Sequence, residues 1–263
     1  MPDPPRRAGP PRRTPLPHPV RIAHAFGNTR TDLATALAAD VDMIEVDIWF
    51  RGGDIYIHHA RRLNPFPILV DRKTPFHDLP RFAIPLRNRY YAWPDLNTLK
   101  LDEVLEKTEG RKRLLLDVKG SYRGERNEQF AATIVDRVRS HDAAEWTVVC
   151  GQTSPVLDAL RELAPEVEVR YSLEKQWQWE AFVRKMERDE RVRQVCISQH
   201  FIDDEKARIF EQNGVDVYVW TVDIVERALH WVEQGVDGIT SNNLPLLEAL
   251  PRRRSKEPGS SSK

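Results

Sequence analysis

The sequence predicts a single-domain α/β fold of the (β/α)8 TIM-barrel class, carried between two disordered tails. Three observations lead there. Short β-rich apolar runs alternate with longer stretches of helical period. The runs are continuously apolar, as in a parallel sheet covered by helices on its outer face. Their number, eight strand–helix units in about 230 residues, is the arithmetic of a closed barrel. A doubly wound open sheet is the main competitor. However, no glycine-rich dinucleotide loop follows the first strand and no Walker lysine loop occurs in the chain.

In chain order the expected strands are Val20–Ala23, Met43–Trp49, Leu114–Val118, Thr147–Cys150, Val167–Tyr171, Val195–Ser198, Val215–Trp220 and Asp237–Thr240. Helical spacing is expected at Asp32–Ala39, Leu99–Lys107, Asn127–Ser140, Ser154–Leu163, Asp203–Asn213 and Ile224–Gln234. Two of these run into glycine, at Asn213-Gly214 and Gln234-Gly235, where the left-handed position past a helix end favours it. Residues 20–251 therefore read as the barrel. Residues 1–19 are rich in proline and arginine with nothing apolar to bury, and residues 252–263 are similarly polar; both read as disordered tails. Residues 60–95 break the rhythm with prolines, arginines and a cluster of aromatics. That stretch is expected to be a long loop near the active site, acting as a lid or binding loop.

The composition excludes several classes. The chain has 263 residues, with Lys+Arg 40 against Asp+Glu 40, so no basic excess supports binding to nucleic acid through its phosphates. No window reaches the ~18 apolar residues of a transmembrane segment, and the first residues lack the apolar run of a signal peptide. Cys150 and Cys196 cannot build a disulfide framework, which fits a reduced, cytoplasmic setting. The arginines of the N-terminal tail could meet an anionic surface, although a merely solvated tail is the better reading. Nothing in the sequence specifies an oligomeric state.

In a barrel the chemistry sits at the C-terminal ends of the strands, and polar residues gather there. The first strand runs into His24. In the second, Glu45 and Asp47 are two apart and share one face. Carboxylates within an apolar run are costly to bury without a partner. A hard divalent cation, Mg²⁺ or Ca²⁺, is one partner; a barrel-facing lysine or arginine is the alternative. Gly53–Ile57 forms a short strand ending in His58 and His59, of which at most one faces the site, as a general acid–base or as a structural histidine. Asp117 and Lys119 share a face at the end of the third strand. Asp117 could complete the cation's ligands and Lys119 could hold an anionic substrate oxygen, or the two could form a salt bridge. Trp220 places an indole at the barrel mouth, as packing or as a substrate contact.

The segments RIAHAFGNT, DMIEVDIWF, GGDIYIHHA, NTLKLDEVLE, RLLLDVKG, VYVWTVD and GVDGITSN, taken in order from about Arg21 to Leu247, resemble the glycerophosphodiester phosphodiesterase family. The resemblance implies a TIM barrel that hydrolyses glycerophosphodiesters to glycerol phosphate and an alcohol with a divalent metal ion. It implies catalytic His24 and a second catalytic histidine at His59, with His58 as the alternative because this loop is shorter than usual. It implies Glu45, Asp47 and Asp117 as metal ligands, Lys119 as a catalytic phosphate contact, and Asn28, Trp220 and His58 as substrate contacts. One histidine would take the proton of the attacking hydroxyl and the other would protonate the departing alcohol, with a cyclic phosphate as the intermediate product.

Departures mark a divergent member. His24-Ala25-Phe26 stands where the family has His-Arg-Gly, so the arginine that faces the phosphate is missing. Gly27 replaces an acid, Ala60 follows His59 where aspartate is usual, Asp117 replaces a glutamate, and Thr240-Ser241 replaces Thr-Asp. Two other readings therefore stay open. One is a phospholipase D-like enzyme of the sphingomyelinase D type acting on a lysophospholipid. The other is a barrel that binds a phosphodiester, or a partner protein, without catalysis.

Overall fold

The chain places its elements in the order β1 (Val20–Ala23), α1 (Arg30–Ala38), β2 (Met43–Arg51), β3 (Asp54–Ile57), β4 (Arg61–Arg62), β5 (Ile68–Asp71), β6 (Ile84–Leu86), β7 (Tyr90–Pro94) and β8 (Leu99–Lys100). There follow α2 (Leu101–Thr108), β9 (Arg113–Val118), α3 (Glu125–Ser140), β10 (Thr147–Gly151), α4 (Ser154–Leu163), β11 (Glu168–Leu173) and α5 (Gln176–Arg188). The last are β12 (Gln194–Ser198), α6 (Asp204–Gln212), β13 (Asp216–Trp220), α7 (Val225–Glu233), β14 (Gly238–Ser241) and α8 (Leu244–Ala249). The computed structural model describes residues 16–59, 61–62, 68–71, 84–86, 90–94 and 98–252.

Strands β1, β2, β9, β10, β11, β12, β13 and β14 pair in parallel in that order, and β14 returns to β1 with Val20 beside Gly238 and Ala23 beside Ser241. This is the closed eight-stranded barrel that the strand count predicts. Each predicted strand is present, shifted by two residues or fewer at its ends. β2 is long enough to serve two sheets: Met43–Ile48 pair with β9, while Ile48–Arg51 fold back antiparallel on β3.

Alternation along each strand divides the apolar residues into two cores. Ile44, Val46, Ile48, Leu114, Leu116 and Val118 face outward into the layer between sheet and helices. Met43, Leu115, Val148, Cys150, Cys196 and Tyr218 face inward and fill the lumen with Val20 and Ile22. Both faces of each strand are buried, which is why the sequence shows no wet face. Helix ends follow local chemistry. Thr29 caps α1 by accepting the Asp32 N–H, and Asp203 caps α6 by accepting that of Lys206.

The lumen is closed at its floor by a buried cation. The Arg170 guanidinium donates to Asp216 through both terminal nitrogens, at 3.0 and 2.9 Å, and to Glu168 at 2.7 Å. Its plane lies over the Tyr218 ring, 3.4 Å from the centroid. Tyr218 fits because its partner across β13 and β14 is Gly238, where a Cβ would come within 2.6 Å of the ring.

Three features differ from expectation. The stretch 60–95, expected as a loop, contains β4, β5, β7 and β6 paired in that order as a small antiparallel sheet. Its strands are short and interrupted by proline and arginine, so no period of two survives in the sequence. Helices α5 and α8 add to the expected set: few α5 residues are buried, and α8 is short with proline in its first turn, so neither shows a clear helical period. The boundaries of the tails also move toward the termini. Leu16 packs against the lumen cluster, and Arg252 pairs with Asp40 and Asp42 at 2.9 Å each. Residues 1–15 and 253–263 lie outside the described residues. No helix among the described residues is long and apolar enough to cross a membrane.

Candidate active site

β2 and β9 are barrel neighbours whose register sets Asp47 directly beside Asp117. Glu45 precedes Asp47 by one pleat and points the same way. The result is three carboxylates, each offering an oxygen, with those oxygens within 4.8 Å of one another at the C-terminal mouth of the barrel. Glu45 and Asp47 are 3% and 0% exposed, so they exchange water for one another's company. Lys119, two residues beyond Asp117, reaches back into the cluster. Its Nζ lies 2.7 Å from Asp47 Oδ1 and donates to Asp117 Oδ2.

The β1–α1 turn holds two of the acids. Ala25 has φ 61°, in the left-handed region, and its N–H donates to Glu45 Oε2 at 2.5 Å. Asn28 clamps Asp47 from both sides: its Nδ2 donates to Asp47 Oδ2 at 2.6 Å, and its Oδ1 accepts the Asp47 N–H at 2.9 Å. Asn28, expected as a substrate contact, thus has both amide atoms engaged on Asp47. Gly27 permits this close approach, since a Cβ there would stand 2.3 Å from Val46 Cγ2.

One ammonium does not balance three carboxylates, and the titration of the acids follows from that. Burial, reinforced by the charge on Asp47, pushes the Glu45 carboxyl well above its ordinary range. Burial also raises Asp117 against the pull of Lys119. At Asp47 burial works upward too, but Lys119 and the two imidazoles of His59 and His24 overcome it and hold the group below the usual range. Burial would lower the Lys119 ammonium, yet the surrounding carboxylates raise it well above its ordinary value.

The donor set fits a hard divalent cation. All the ligands are carboxylate oxygens, and Asp47 Oδ1 is buried without a well-formed hydrogen bond among the described residues, although Lys119 Nζ stands beside it. The ion pair that the sequence left as the alternative is also present. It neutralises one of the three charges and leaves the cluster short of positive charge.

His24 follows β1 and brings its Nε2 to 4.0 Å from Glu45 Oε2. Burial lowers its pKa, helped by the charges on Lys119 and His59 and opposed by Asn242 and Asp47. The two histidines after β3 part company. His58 stacks on Trp49, centroids 5.3 Å apart and rings 14° from parallel, and its carbonyl accepts the Trp49 indole N–H. His59 is exposed and lies near enough for its charge to act on Asp47 and on His24. Trp220 ends β13 at the mouth, half-buried against the lumen cluster, with its indole N–H buried and lacking an acceptor among the described residues. The structure therefore gathers His24, Glu45, Asp47, Asp117 and Lys119 at one place, leaves His59 exposed within electrostatic reach of Asp47, and turns His58 onto a tryptophan.

Two residues at this site carried no chemical reading in the sequence. Asn242 accepts from His24 at its ring nitrogen Nδ1, 2.9 Å away, and donates to Asp223 at 2.9 Å. They end the segments GVDGITSN and VYVWTVD, so a polar residue at the tip of each strand was the available signal.

Solved structures share this architecture. A phosphodiesterase of Oleispira antarctica, determined with the product sn-glycerol-3-phosphate, is 20% identical over 86% of this chain and 94% of its own, with a TM-score of 0.61. A glycerophosphodiester phosphodiesterase of Parabacteroides distasonis is 18% identical over 86% of this chain and 94% of its own, TM-score 0.63. One from Thermotoga maritima is 18% identical over 87% and 97%, TM-score 0.60. No curated protein matches the chain. The model of the glycerophosphoryl diester phosphodiesterase family matches residues 16–245, which takes in every strand of the barrel and all the acids and histidines described above, and the chain belongs to that family.

Proposed function

We propose that the protein is a metal-dependent phosphodiesterase that hydrolyses glycerophosphodiesters to glycerol phosphate and an alcohol, using His24 and His59 as its acid–base pair. The observation that carries this is the convergence of Glu45, Asp47 and Asp117 within 4.8 Å, with the His24 ring 4.0 Å from Glu45, in a member of a phosphodiesterase family. Enzymes of this class are phosphoric diester hydrolases, and the Oleispira relative with bound sn-glycerol-3-phosphate supports the product assigned.

Glu45, Asp47 and Asp117 would hold the cation, Mg²⁺ or Ca²⁺, whose contribution when bound is Lewis-acid charge against the phosphoryl oxygens. Ala25 and Asn28 keep Glu45 and Asp47 aimed at that point. The substrate's own neighbouring hydroxyl attacks phosphorus, giving a cyclic phosphate that water then opens. One of the two histidines removes the proton of the attacking hydroxyl, and the other delivers a proton to the departing alcohol oxygen. Lys119 offsets the negative charge that develops on the phosphoryl group. No arginine follows His24, and among the described residues Lys119 is the cation seated in the acid cluster. Trp220, at the rim, would serve as a substrate contact.

A second reading concerns the glycerol half of the substrate, which keeps the phosphate. Trp177, Ile224 and Val225 are large, apolar and exposed, and they stand at the N-termini of α5 and α7, on the same face of the barrel as the site. They would suit an acyl-bearing substrate such as a lysophospholipid.

Phosphorus NMR of protein incubated with glycerophosphocholine and with lysophosphatidylcholine, with Mg²⁺ or Ca²⁺ and then with EDTA, tests both readings. The product signal, glycerol phosphate from the first substrate and lysophosphatidate from the second, is expected to grow only with metal, and its rate to fall by about 10²–10⁴-fold in His24→Ala and in His59→Ala. Equal turnover in EDTA, or none with either substrate and either metal, overturns the proposal. Faster cleavage of the lysophospholipid selects the second reading.

A further inference from the structure

His24 presents one edge of its ring to the acid cluster and is gripped by the other. Nδ1 lies 2.9 Å from Asn242 Oδ1. Asn242 is itself anchored: its Nδ2 donates to Asp223 Oδ2 at 2.9 Å and its main-chain N–H to Asp223 Oδ1 at 2.8 Å, an oxygen that also accepts the Ser241 hydroxyl at 2.8 Å. These residues follow β1, β13 and β14, three consecutive staves of the barrel, and the His24 N–H closes the group by donating to the Ser241 carbonyl at 3.0 Å.

Chemistry settles which way round the Asn242 amide sits. A carboxylate offers only acceptors, so the amide nitrogen turns to Asp223 and the amide oxygen to the imidazole. An amide oxygen in turn only accepts, so the ring nitrogen facing it must carry a hydrogen. In the neutral ring that leaves Nε2 bare, and Nε2 is the nitrogen 4.0 Å from Glu45 Oε2.

We infer that Asn242, anchored by Asp223, is a positioning residue for His24: it fixes the ring and its Nδ1–H tautomer, so that Nε2 is the nitrogen that exchanges a proton with substrate. The inference rests on the proposed reaction and assigns within it the working atom of one histidine. An amide is suited to this place. It selects the tautomer as the carboxylate of a Ser-His-Asp triad does, yet adds no negative charge beside three carboxylates. Asp223, on the outer side, supplies rigidity, since its three accepted hydrogen bonds leave the amide one orientation.

The test reads the ring directly. In ¹⁵N-labelled, metal-free protein at about pH 8, where an imidazole is neutral, the ring nitrogens of His24 are assigned by comparison with His24→Gln. Wild type is expected to show a protonated Nδ1 and a bare Nε2, and Asn242→Ala and Asp223→Ala to shift the ring toward the Nε2–H form that free histidine prefers. In steady-state hydrolysis, kcat is expected to fall about 10- to 100-fold in Asn242→Ala with KM little changed. A bare Nδ1 in wild type overturns the inference with no variant needed. So does Asn242→Ala with an unaltered ring signature or unaltered kcat. A protonated Nδ1 in a wild-type protein that hydrolyses no phosphodiester would instead sink the proposed reaction, and the role with it, while leaving the tautomer as read.

Discussion

Glu45 is the residue on which the acid cluster turns. Its carboxyl is raised well above the ordinary range by burial and by the charge on Asp47. In metal-free protein it therefore holds a proton above the pH at which an exposed glutamate would lose it. A cation entering the cluster displaces that proton, so uptake is expected to strengthen as pH rises and to release protons. Calorimetric titration of Mg²⁺ or Ca²⁺ into EDTA-stripped protein at about pH 6 and pH 8, in buffers of different ionisation enthalpy, reads both effects. Glu45→Gln keeps an acceptor for the Ala25 N–H but removes the charge, and is expected to weaken binding at least about tenfold. Undiminished affinity in that variant would remove Glu45 from the ligand set. Asn28 belongs to the same account. Asn28→Ala frees Asp47 on two sides and is expected to lower both metal affinity and kcat without altering the fold, as circular dichroism would show. At this scale the sequence was informative where residues alternate along one strand, as Glu45 and Asp47 do. It was silent about Asn28 clamping Asp47, and about Asp223 and Asn242 supporting His24, because those contacts join strand ends distant in the chain.

Elements were legible in proportion to how many of their faces are buried. The eight barrel strands bury both, so each is a solid apolar run with little ambiguity. α5 buries only Phe182, Met186 and Gln178 of its length, and its polar remainder masks the period. The small sheet in 60–95 is legible only through pairing, because none of its four short strands alternates by itself. Pairing also explains Gly238, which looks ordinary in the sequence but lies across from Tyr218. Gly238→Ala would place a methyl 2.6 Å from the ring that Arg170 covers. The expected cost is about 1–3 kcal/mol, a fall in Tm of several degrees by calorimetry, with metal affinity unchanged because the acids lie at the other end of the strands. An unaltered Tm would mean that the tyrosine can give way.

At the scale of the whole molecule, the floor of the barrel sets a pH dependence opposite to that of most carboxylates. Asp237 is pushed up to about 6, first by burial and next by the charge of Asp216, with His18 (3.6 Å away) and Arg170 pulling the other way. A carboxyl whose pKa is raised on folding binds its proton more tightly in the native state, so its contribution to stability is greatest below the unfolded value of 3.8 and is lost as pH climbs through about 6. Asp237→Asn keeps an acceptor for the Val217 N–H and removes that charge. It is expected to be more stable than wild type by on the order of 1–3 kcal/mol at neutral pH and no more stable at about pH 4, in urea melts at both. Equal stability at both values would show that His18 and Arg170 already compensate the charge. The same floor has a kinetic corollary. Arg170, Tyr218, Ile22 and Met43 fill the lumen from wall to wall, so the reaction chamber is a cul-de-sac. Glycerol phosphate must back out through the doorway by which the diester came in, which makes the spent molecule a rival for the next one's entry.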